Sequence, residues 1–156
     1  MRKWMIFTLL LAAIPVLSFG GFGGEDVGKL RPIQVVSVKN RDGGVVLQTD
    51  TEDLGQGEDV NCAVRNMKER SIGYVFLDTA DYLLIEPEAE IWLPQLKQYL
   101  RPSCSLCYAS EPIDLGLTGQ FLQLHEPALN LSQYEAGKRN FSRLILDEGR
   151  MCLVQP

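Results

Sequence analysis

Strand-like and helix-like apolar patterns alternate along this chain, and the alternation limits the folds open to it. "LRPIQVVSVK" (30–39) and "VVLQTD" (45–50) are rich in β-branched residues, and Asp42-Gly43 between them is a hairpin signal. From Val60 the apolar residues recur with the 3.6-residue period of an amphipathic helix. The sequence therefore predicts a β-hairpin followed by a helix.

The next segments continue the alternation. "SIGYVFL" (71–77) and "YLLIE" (82–86) are nearly all apolar, which is typical of strands buried on both faces. "PEAEIWLPQLKQYL" (87–100) has a helical period, with a kink or a fresh start expected at Pro94. "CSLCYAS" (104–110) is again strand-like.

Two more helices are predicted in the last third of the chain. "IDLGLTGQFLQLHEP" (113–127) has Asp114 in the position of an N-cap. "LSQYEAGKRNFSRLI" (131–145) contains Ser132-x-x-Glu135, the pattern of a capping box at a helix start.

The order of elements is thus ββαβαβα with another helix after it, and "GRMCLV" (149–154) is predicted as a last short strand. Such an order favours a single α/β domain over residues 30–156, with helices packed on a mixed sheet that a β-hairpin opens. The length of 156 residues suits one domain with a real core and is too short for two ordinary ones.

The N-terminus has the pattern of an export signal. Arg2 and Lys3 precede an apolar run over 4–17, and "SFG" (18–20) offers small residues for cleavage. We interpret residues 1–20 as a signal peptide or an N-terminal membrane anchor. Residues 21–29, which are rich in glycine, then form a flexible link. The protein is expected to be exported and to work outside the cytoplasm.

The charge of the chain argues against nucleic acid as a partner. The formal net charge is −5, and loss of the first twenty residues would remove Arg2 and Lys3 but no acid, leaving −7. An acidic body repels polyanions, and the sequence has no basic cluster to offset this.

The four cysteines leave three interpretations open. Cys62 falls on the polar side of the helix that starts near Val60, so we expect an exposed thiol there. Cys104-x-x-Cys107 could be a redox pair, a structural disulfide or two incidental thiols, and residues three apart on a strand point to opposite faces. A zinc site is not predicted, because His125 is the only histidine. No cofactor is expected.

The spacing Gly55-x-Gly57 before a helix raises the question of a phosphate cradle. Backbone amides at a helix N-terminus attract anions, and glycines let a ligand approach. Here Glu58 and Asp59 follow at once, whereas a P-loop has a lysine. These carboxylates suit the helix dipole and would repel a phosphate. We therefore expect "TEDLGQGED" (51–59) to be a loop that turns the chain and starts a helix.

Other candidate catalytic groups are weaker. "DTAD" (78–81) has two carboxylates, but it occurs once and is more typical of a polar turn that closes a strand. His125 lies at a predicted helix end, where it would act as a cap. An enzyme site assembled from Asp53, Asp78 and His125 would need the fold to bring distant residues together.

Between Leu54 and Ile85 the chain resembles the first domain of the Ger(x)C spore-germination lipoproteins. In that family a β-hairpin leads to a G-x-G loop, a helix of the type A-x-x-N and an apolar strand that ends in L-L-I. The matching positions are Gly55, Gly57, Ala63, Asn66, Leu83, Leu84 and Ile85. The resemblance covers about 30–109.

The resemblance implies a non-catalytic, membrane-associated subunit that acts beside membrane-spanning partners in germinant sensing. Family members have a lipobox cysteine at the place where this chain has Phe19 and Gly20. Family members also have two further domains. From the sequence we expect a non-catalytic binding or accessory protein with a membrane-protein partner at the outer face of the membrane. The alternative is an exported thiol–disulfide protein that uses Cys104 and Cys107.

Overall fold

The computed structural model describes residues 30–109 and 113–156 of the chain. The predicted signal or anchor (1–20) and the predicted link (21–29) lie outside the described residues. Within them, the strands are β1 (Leu30–Pro32), β2 (Val35–Arg41), β3 (Gly44–Thr49), β4 (Leu54–Gly57), β5 (Tyr74–Phe76), β6 (Tyr82–Ile85), β7 (Ser105–Ala109), β8 (Leu129–Asn130), β9 (Ser142–Asp147) and β10 (Arg150–Val154). The α-helices are α1 (Val60–Arg70), α2 (Leu93–Leu96), α3 (Leu115–Leu124) and α4 (Leu131–Glu135), and short 3-10 helices cover Leu77–Thr79 and Pro87–Trp92.

A mixed eight-stranded sheet organises the fold. Its order is β10-β9-β7-β6-β2-β3-β4, with β8 beside β7. The central strands β2, β6, β7 and β9 are parallel, whereas β3, β4 and β10 pair antiparallel with their neighbours. β1 and β5 form a separate two-stranded parallel sheet. The predicted α/β domain with a mixed sheet and an opening hairpin is confirmed.

Two apolar clusters cover the two faces of the sheet. The larger one receives side chains from α1, α2 and α4, and the smaller one receives Leu115 and Leu122 of α3. The buried residues of α1 recur at the predicted helical spacing and are Val60, Ala63, Val64 and Met67. β6 contributes Leu83 to one cluster and Leu84 to the other, which explains its continuous apolar sequence.

Two-residue turns close the hairpins β2–β3 and β9–β10 of the sheet. The predicted Asp42-Gly43 turn is confirmed, since φ is 49° and 79° at these residues and Arg41 pairs with Gly44. A second such turn, which was not predicted from the sequence, lies at Glu148-Gly149, where φ is 48° and 76°. It joins β9 to β10.

The predicted helix over 131–145 is wrong beyond its first turn. α4 ends at Glu135, and its capping box uses Asn130 and Gln133 instead of Ser132 and Glu135. Residues Ser142–Asp147 form β9, which pairs with β7 on one side and β10 on the other. Pairing with distant strands overrode a local helical pattern here.

The other predicted helices differ in how regular they are. α3 begins as expected, because the Asp114 side chain accepts a hydrogen bond from the Leu117 amide at 3.0 Å. In contrast, Pro87–Trp92 is a 3-10 helix, and only Leu93–Leu96, around Pro94, is α-helical. None of the helices in the described part of the chain is long and apolar enough to cross a membrane.

Candidate functional site

The glycines of "LGQG" lie in a strand, so the loop predicted over 51–59 is wrong for residues 54–57. β4 pairs with β3, and its two glycines face α1. A Cβ atom on Gly55 would lie 2.2 Å from the Ala63 carbonyl oxygen, and one on Gly57 would lie 2.5 Å from the Ala63 amide nitrogen. Any side chain at either glycine would push the helix off the strand. The close approach of α1 to β4 therefore requires both glycines.

Asn66 completes the contact between α1 and β4. Its Oδ1 accepts a hydrogen bond from the Gln56 amide at 3.2 Å. Gln56 lies on the outer strand of the sheet, and its N–H points away from β3 towards the helix. The family-like residues Gly55, Gly57, Ala63 and Asn66 thus form one packing unit in this chain.

The start of α1 is occupied by a protein carboxylate. Asp59 Oδ1 accepts from the Cys62 amide at 2.7 Å, and this hydrogen bond lowers the pKa of Asp59. The nearest hollow, of about 550 Å³, is open and is lined by Arg41, Asp42 and Glu58 among others. Arg41 is paired with Glu86 at 2.9 Å. An anion at this place would meet carboxylates, as the sequence indicated.

Cys104 and Cys107 belong to apolar clusters on opposite faces of the sheet, as the strand geometry predicted. Both thiols are free and buried, and burial raises the pKa of each to about 12. The Cys107 thiol donates to the Ser142 carbonyl oxygen at 3.3 Å. A reactive redox pair needs an accessible thiolate, so this geometry argues against the thiol–disulfide alternative.

Cys62 is half-buried on α1. The carboxylate of Asp59, which lies beside it, raises the pKa of the Cys62 thiol through hydrogen bonding. Cys152, on β10, is also half-buried and free. Neither thiol is in a disulfide.

Two residues of "DTAD", Thr79 and Asp81, have side-chain partners elsewhere in the fold. Thr79 Oγ1 accepts a hydrogen bond from the Ile33 amide at 3.0 Å, which ties the turn to the start of β2. Asp81 forms an ion pair with Arg101. Asp78 lies in the 3-10 helix after β5 and does not share a hydrogen bond with Asp81. These contacts fit the predicted polar turn.

The distant candidates Asp53, Asp78 and His125 are not brought together by any hydrogen bond or ion pair. Asp53 accepts from the Thr51 hydroxyl at 2.8 Å in the turn before β4. His125 is the C-cap residue of α3, as predicted, and its ring lies 4.4 Å from that of Phe121. Residues 30–109 and 113–156 contain no group of three or more His, Cys, Asp or Glu side chains that could hold a metal ion.

The structure assembles one polar cluster that the sequence analysis missed. Glu90 accepts hydrogen bonds from the Tyr108 hydroxyl at 2.6 Å and the Tyr134 hydroxyl at 3.2 Å. Burial, followed by the contact with Glu90, raises the pKa of Tyr108. Phe141 stacks on Tyr108 with 4.2 Å between ring centroids, and the Arg139 guanidinium covers Tyr134.

This cluster lies near the carboxyl end of β7, the edge at which open α/β sheets commonly bind ligands. Its polar groups are already paired with one another, so it buttresses the fold. Its members come from segments 18 to 44 residues apart. The one sequence signal for this cluster is that Tyr108 lies near the end of a predicted strand.

A surface of three exposed apolar side chains remains, which we call the β5 surface: Ile72, Tyr74 and Phe76. Their exposed fractions are 92%, 42% and 36%. The segment 71–77 was predicted to be buried on both faces, and this is wrong. Within the part of the chain that the structure describes, β5 pairs with the short strand β1 alone; Val75 is buried while Tyr74 and Phe76 face outwards.

A shallow hollow adjoins the β5 surface. Its volume is about 280 Å³, and its lining includes Lys68, Phe76, Asp78 and Tyr99. It is smaller than the cavities that usually hold small ligands, of about 300–1,000 Å³. The rings of Tyr74 and Phe76 lie 6.3 Å apart. Neighbouring exposed apolar side chains with a polar rim are typical of protein interaction sites. The β5 surface is therefore the candidate functional site.

Comparison of the chain with protein-family models, with curated proteins and with solved structures found no match. The resemblance to the germination lipoproteins therefore stays a prediction from the sequence.

Proposed function

We propose that this chain is an exported binding protein that docks on a membrane protein at the outer face of the membrane. The observation that carries the proposal is the β5 surface. Ile72, Tyr74 and Phe76 stay exposed although the same segment buries Val75 and Leu77 in the core. Apolar and aromatic side chains of this kind form the centre of protein interfaces.

The position of β1 supports a partner at the membrane. β1 pairs with β5 in the register Leu30 to Tyr74, so the chain enters the described domain beside the β5 surface. The apolar run at 4–17 is the segment expected to engage the membrane. The intervening residues 18–29 can span at most about 40 Å when extended. An anchored chain would keep the β5 surface close to the membrane.

The charge favours a protein over the lipid itself. A chain with a net charge of −5 gains nothing from anionic headgroups, which attract basic segments. The hollow beside Phe76 offers both Lys68 and Asp78 as polar rim groups. A mixed rim around an apolar centre suits a protein partner.

We infer that the partner is a subunit of a membrane-spanning receptor. Germinant sensing is suggested by the resemblance to the germination lipoproteins, which the motif Gly55, Gly57, Ala63 and Asn66 carries. In this chain the motif holds α1 against β4, which is a role in folding. The proposed activity is therefore binding without turnover. Two candidate catalytic groups of the sequence analysis support this, since the Asp53 carboxylate accepts a hydrogen bond from Thr51 and Asp81 is paired with Arg101.

Site-specific photo-cross-linking in the native host tests the proposal. A photoreactive phenylalanine analogue replaces Tyr74, and a matched control places it at Leu117, which is 55% exposed on α3. We expect the Tyr74 position to cross-link to one integral membrane protein and the Leu117 position to give no such product. Ile72→Ser with Phe76→Ser should abolish the product, and circular dichroism should show that this variant still folds.

Three outcomes would contradict the proposal. One is the same product from Tyr74 and Leu117, and another is cross-linking to lipid alone. The third is a membrane-protein product that persists after the double substitution in the β5 surface.

A further inference from the structure

The outer edge of β10 has the geometry of a strand that is ready to pair. The type I′ turn at Glu148-Gly149 makes Asp147 and Arg150 a hydrogen-bonded pair. Hydrogen-bonded and non-bonded pairs alternate along an antiparallel ladder. The backbone groups of Cys152 therefore point to β9, and those of Met151 and Leu153 point outwards.

These outward groups have no partner within residues 30–109 and 113–156. β10 pairs only with β9, and no turn or loop contact reaches the Met151 or Leu153 amide. β10 has five residues and contains no proline and no lysine, which are the residues that commonly protect a sheet edge.

The edge is complementary to itself. If two copies of β10 run antiparallel with Cys152 opposite Cys152, then Met151 of each copy lies opposite Leu153 of the other. Those are the residues whose N–H and C=O groups point outwards, so each pair can exchange both hydrogen bonds. Sliding the register by one residue in either copy would place inward-pointing groups opposite outward-pointing ones.

The side chains fit the same register. Leu146 lies opposite Met151, and Leu144 opposite Leu153, within one chain. Pairing of two copies would join these into continuous apolar rows on one face, and cross-strand apolar pairs stabilise a sheet. Leu146 is 36% exposed in the single chain, and Met151 and Leu153 are half-buried.

On the other face, Arg150 would lie opposite Val154 of the second copy, which is 50% exposed. Val154 is uncharged, so no like charges lie directly opposite each other across the junction, and Arg150 lies opposite Asp147 within its own chain. We propose that a second copy of this chain pairs with β10 and extends the sheet through a two-fold axis at Cys152. This interface is separate from the β5 surface.

The first test is the mass of the full chain under reducing conditions, measured by sedimentation equilibrium over a range of concentrations. We expect a concentration-dependent dimer. A chain that stays monomeric throughout would overturn the proposal.

The second test locates the interface with a short bis-maleimide, which joins two thiols by addition without oxidation. Cys152 of the two copies should be linked in Cys62→Ser and not in Cys152→Ser. Each of these variants keeps the other half-buried thiol, so they are matched. A dimer that is linked only through Cys62, or not at all, would place the interface elsewhere and overturn the proposal.

The third test introduces a charge of either sign at Val154, an exposed position on β10. Val154→Arg puts two like-charge pairs across the junction and should weaken dimerisation by about 2- to 30-fold. Val154→Glu, at the same position, should preserve or strengthen it. Equal dissociation constants for the two variants, when both fold, would contradict the proposed register.

Leu153→Pro gives an independent check, since proline removes an N–H that points outwards and leaves the bonds to β9 intact. This variant should lower dimerisation without loss of the fold. Residues 1–29 of the same chain are the rival occupant of the edge. If they cover it, the Met151 and Leu153 amides will be protected from hydrogen exchange in the monomer at every dilution, which would also overturn the proposal.

Discussion

The two edges of the main sheet are treated in opposite ways. At β4 the edge is sealed, because Gly55 and Gly57 let α1 approach and Asn66 accepts the outward Gln56 amide. At β10 the backbone groups of Met151 and Leu153 face outwards, and their amides have no backbone partner within the described residues. The first edge cannot add a strand, whereas the second can.

The difference shows how little sequence is needed to close an edge. Two glycines and one asparagine are enough at β4, since a helix replaces the missing strand. At β10 the residues are mostly apolar and larger, and within the described residues no backbone group pairs with the outward amides of Met151 and Leu153. Stability should therefore be sensitive to substitution at β4, and association should be sensitive to substitution at β10.

The largest effect is expected from side chains on the sealed edge. Gly55→Ala puts a methyl group 2.2 Å from the Ala63 carbonyl oxygen and should lower the free energy of unfolding by about 2–3 kcal/mol. Gly57→Ala should act in the same way. Chemical denaturation of each variant measures the loss.

Gly116→Ala is the matched control for these substitutions. Gly116 lies in α3, and a Cβ atom there would meet only the Asp114 carboxylate at 3.4 Å. Alanine is the better helix former, so this change should stabilise the fold by about 0.5–1 kcal/mol. If Gly55→Ala were as well tolerated as Gly116→Ala, α1 would not lie against β4 as described.

A smaller effect is expected from Asn66→Ala, which leaves the Gln56 amide without its acceptor. The loss should be about 0.5–1.5 kcal/mol in the free energy of unfolding. Hydrogen exchange of the Gln56 amide should become faster, while that of Met151 on the open edge stays the same. Asn66→Asp keeps an acceptor oxygen and should retain most of the protection of the Gln56 amide. Equal exchange of this amide in the wild-type chain and both variants would mean that Asn66 does not bind it.

The smallest effect concerns pH and the start of α1. The amide of Cys62 lowers the pKa of Asp59 below its ordinary value of 3.8 in the folded chain. A depressed carboxyl pKa contributes stability above pH 3.8 that is lost as the pH falls through the folded pKa. Stability of the wild-type chain should therefore fall in this acidic range relative to Asp59→Asn, which keeps the cap oxygen but does not titrate.

Unfolding curves of the two proteins at successive pH values measure this difference. An unchanged difference across the acidic range would mean that the Asp59 carboxylate does not cap α1. Protection of Gln56 should follow the same pH dependence, because α1 covers that edge.

Local patterns predicted much of the fold. The buried stripe of α1, the Asp42-Gly43 turn and the Asp114 cap were all readable, because each depends on residues that are close in the chain. The opposite orientation of Cys104 and Cys107 followed from strand geometry alone. These predictions needed no knowledge of what packs against each segment.

The wrong predictions concern segments whose structure depends on pairing with residues far away in the chain. Ser142–Asp147 has apolar spacing that fits a helix as well as a strand, and its pairing with β7 settles it. Tyr74 and Phe76 were expected to be buried, but β5 lies in a small separate sheet with β1. The candidate site was missed for that reason, since its exposure depends on which sheet the strand joins.

The sequence by itself determined where chain direction changes and which helix faces are apolar, because steric preference and hydrophobic periodicity act within a few residues. Only the tertiary structure decided that the two glycines before Val60 belong to a strand under a helix, and that the outer edge of β10 has no partner among residues 30–109 and 113–156. Hydrogen bonds between strands join residues far apart in the chain, so no local pattern states which edges they will fill.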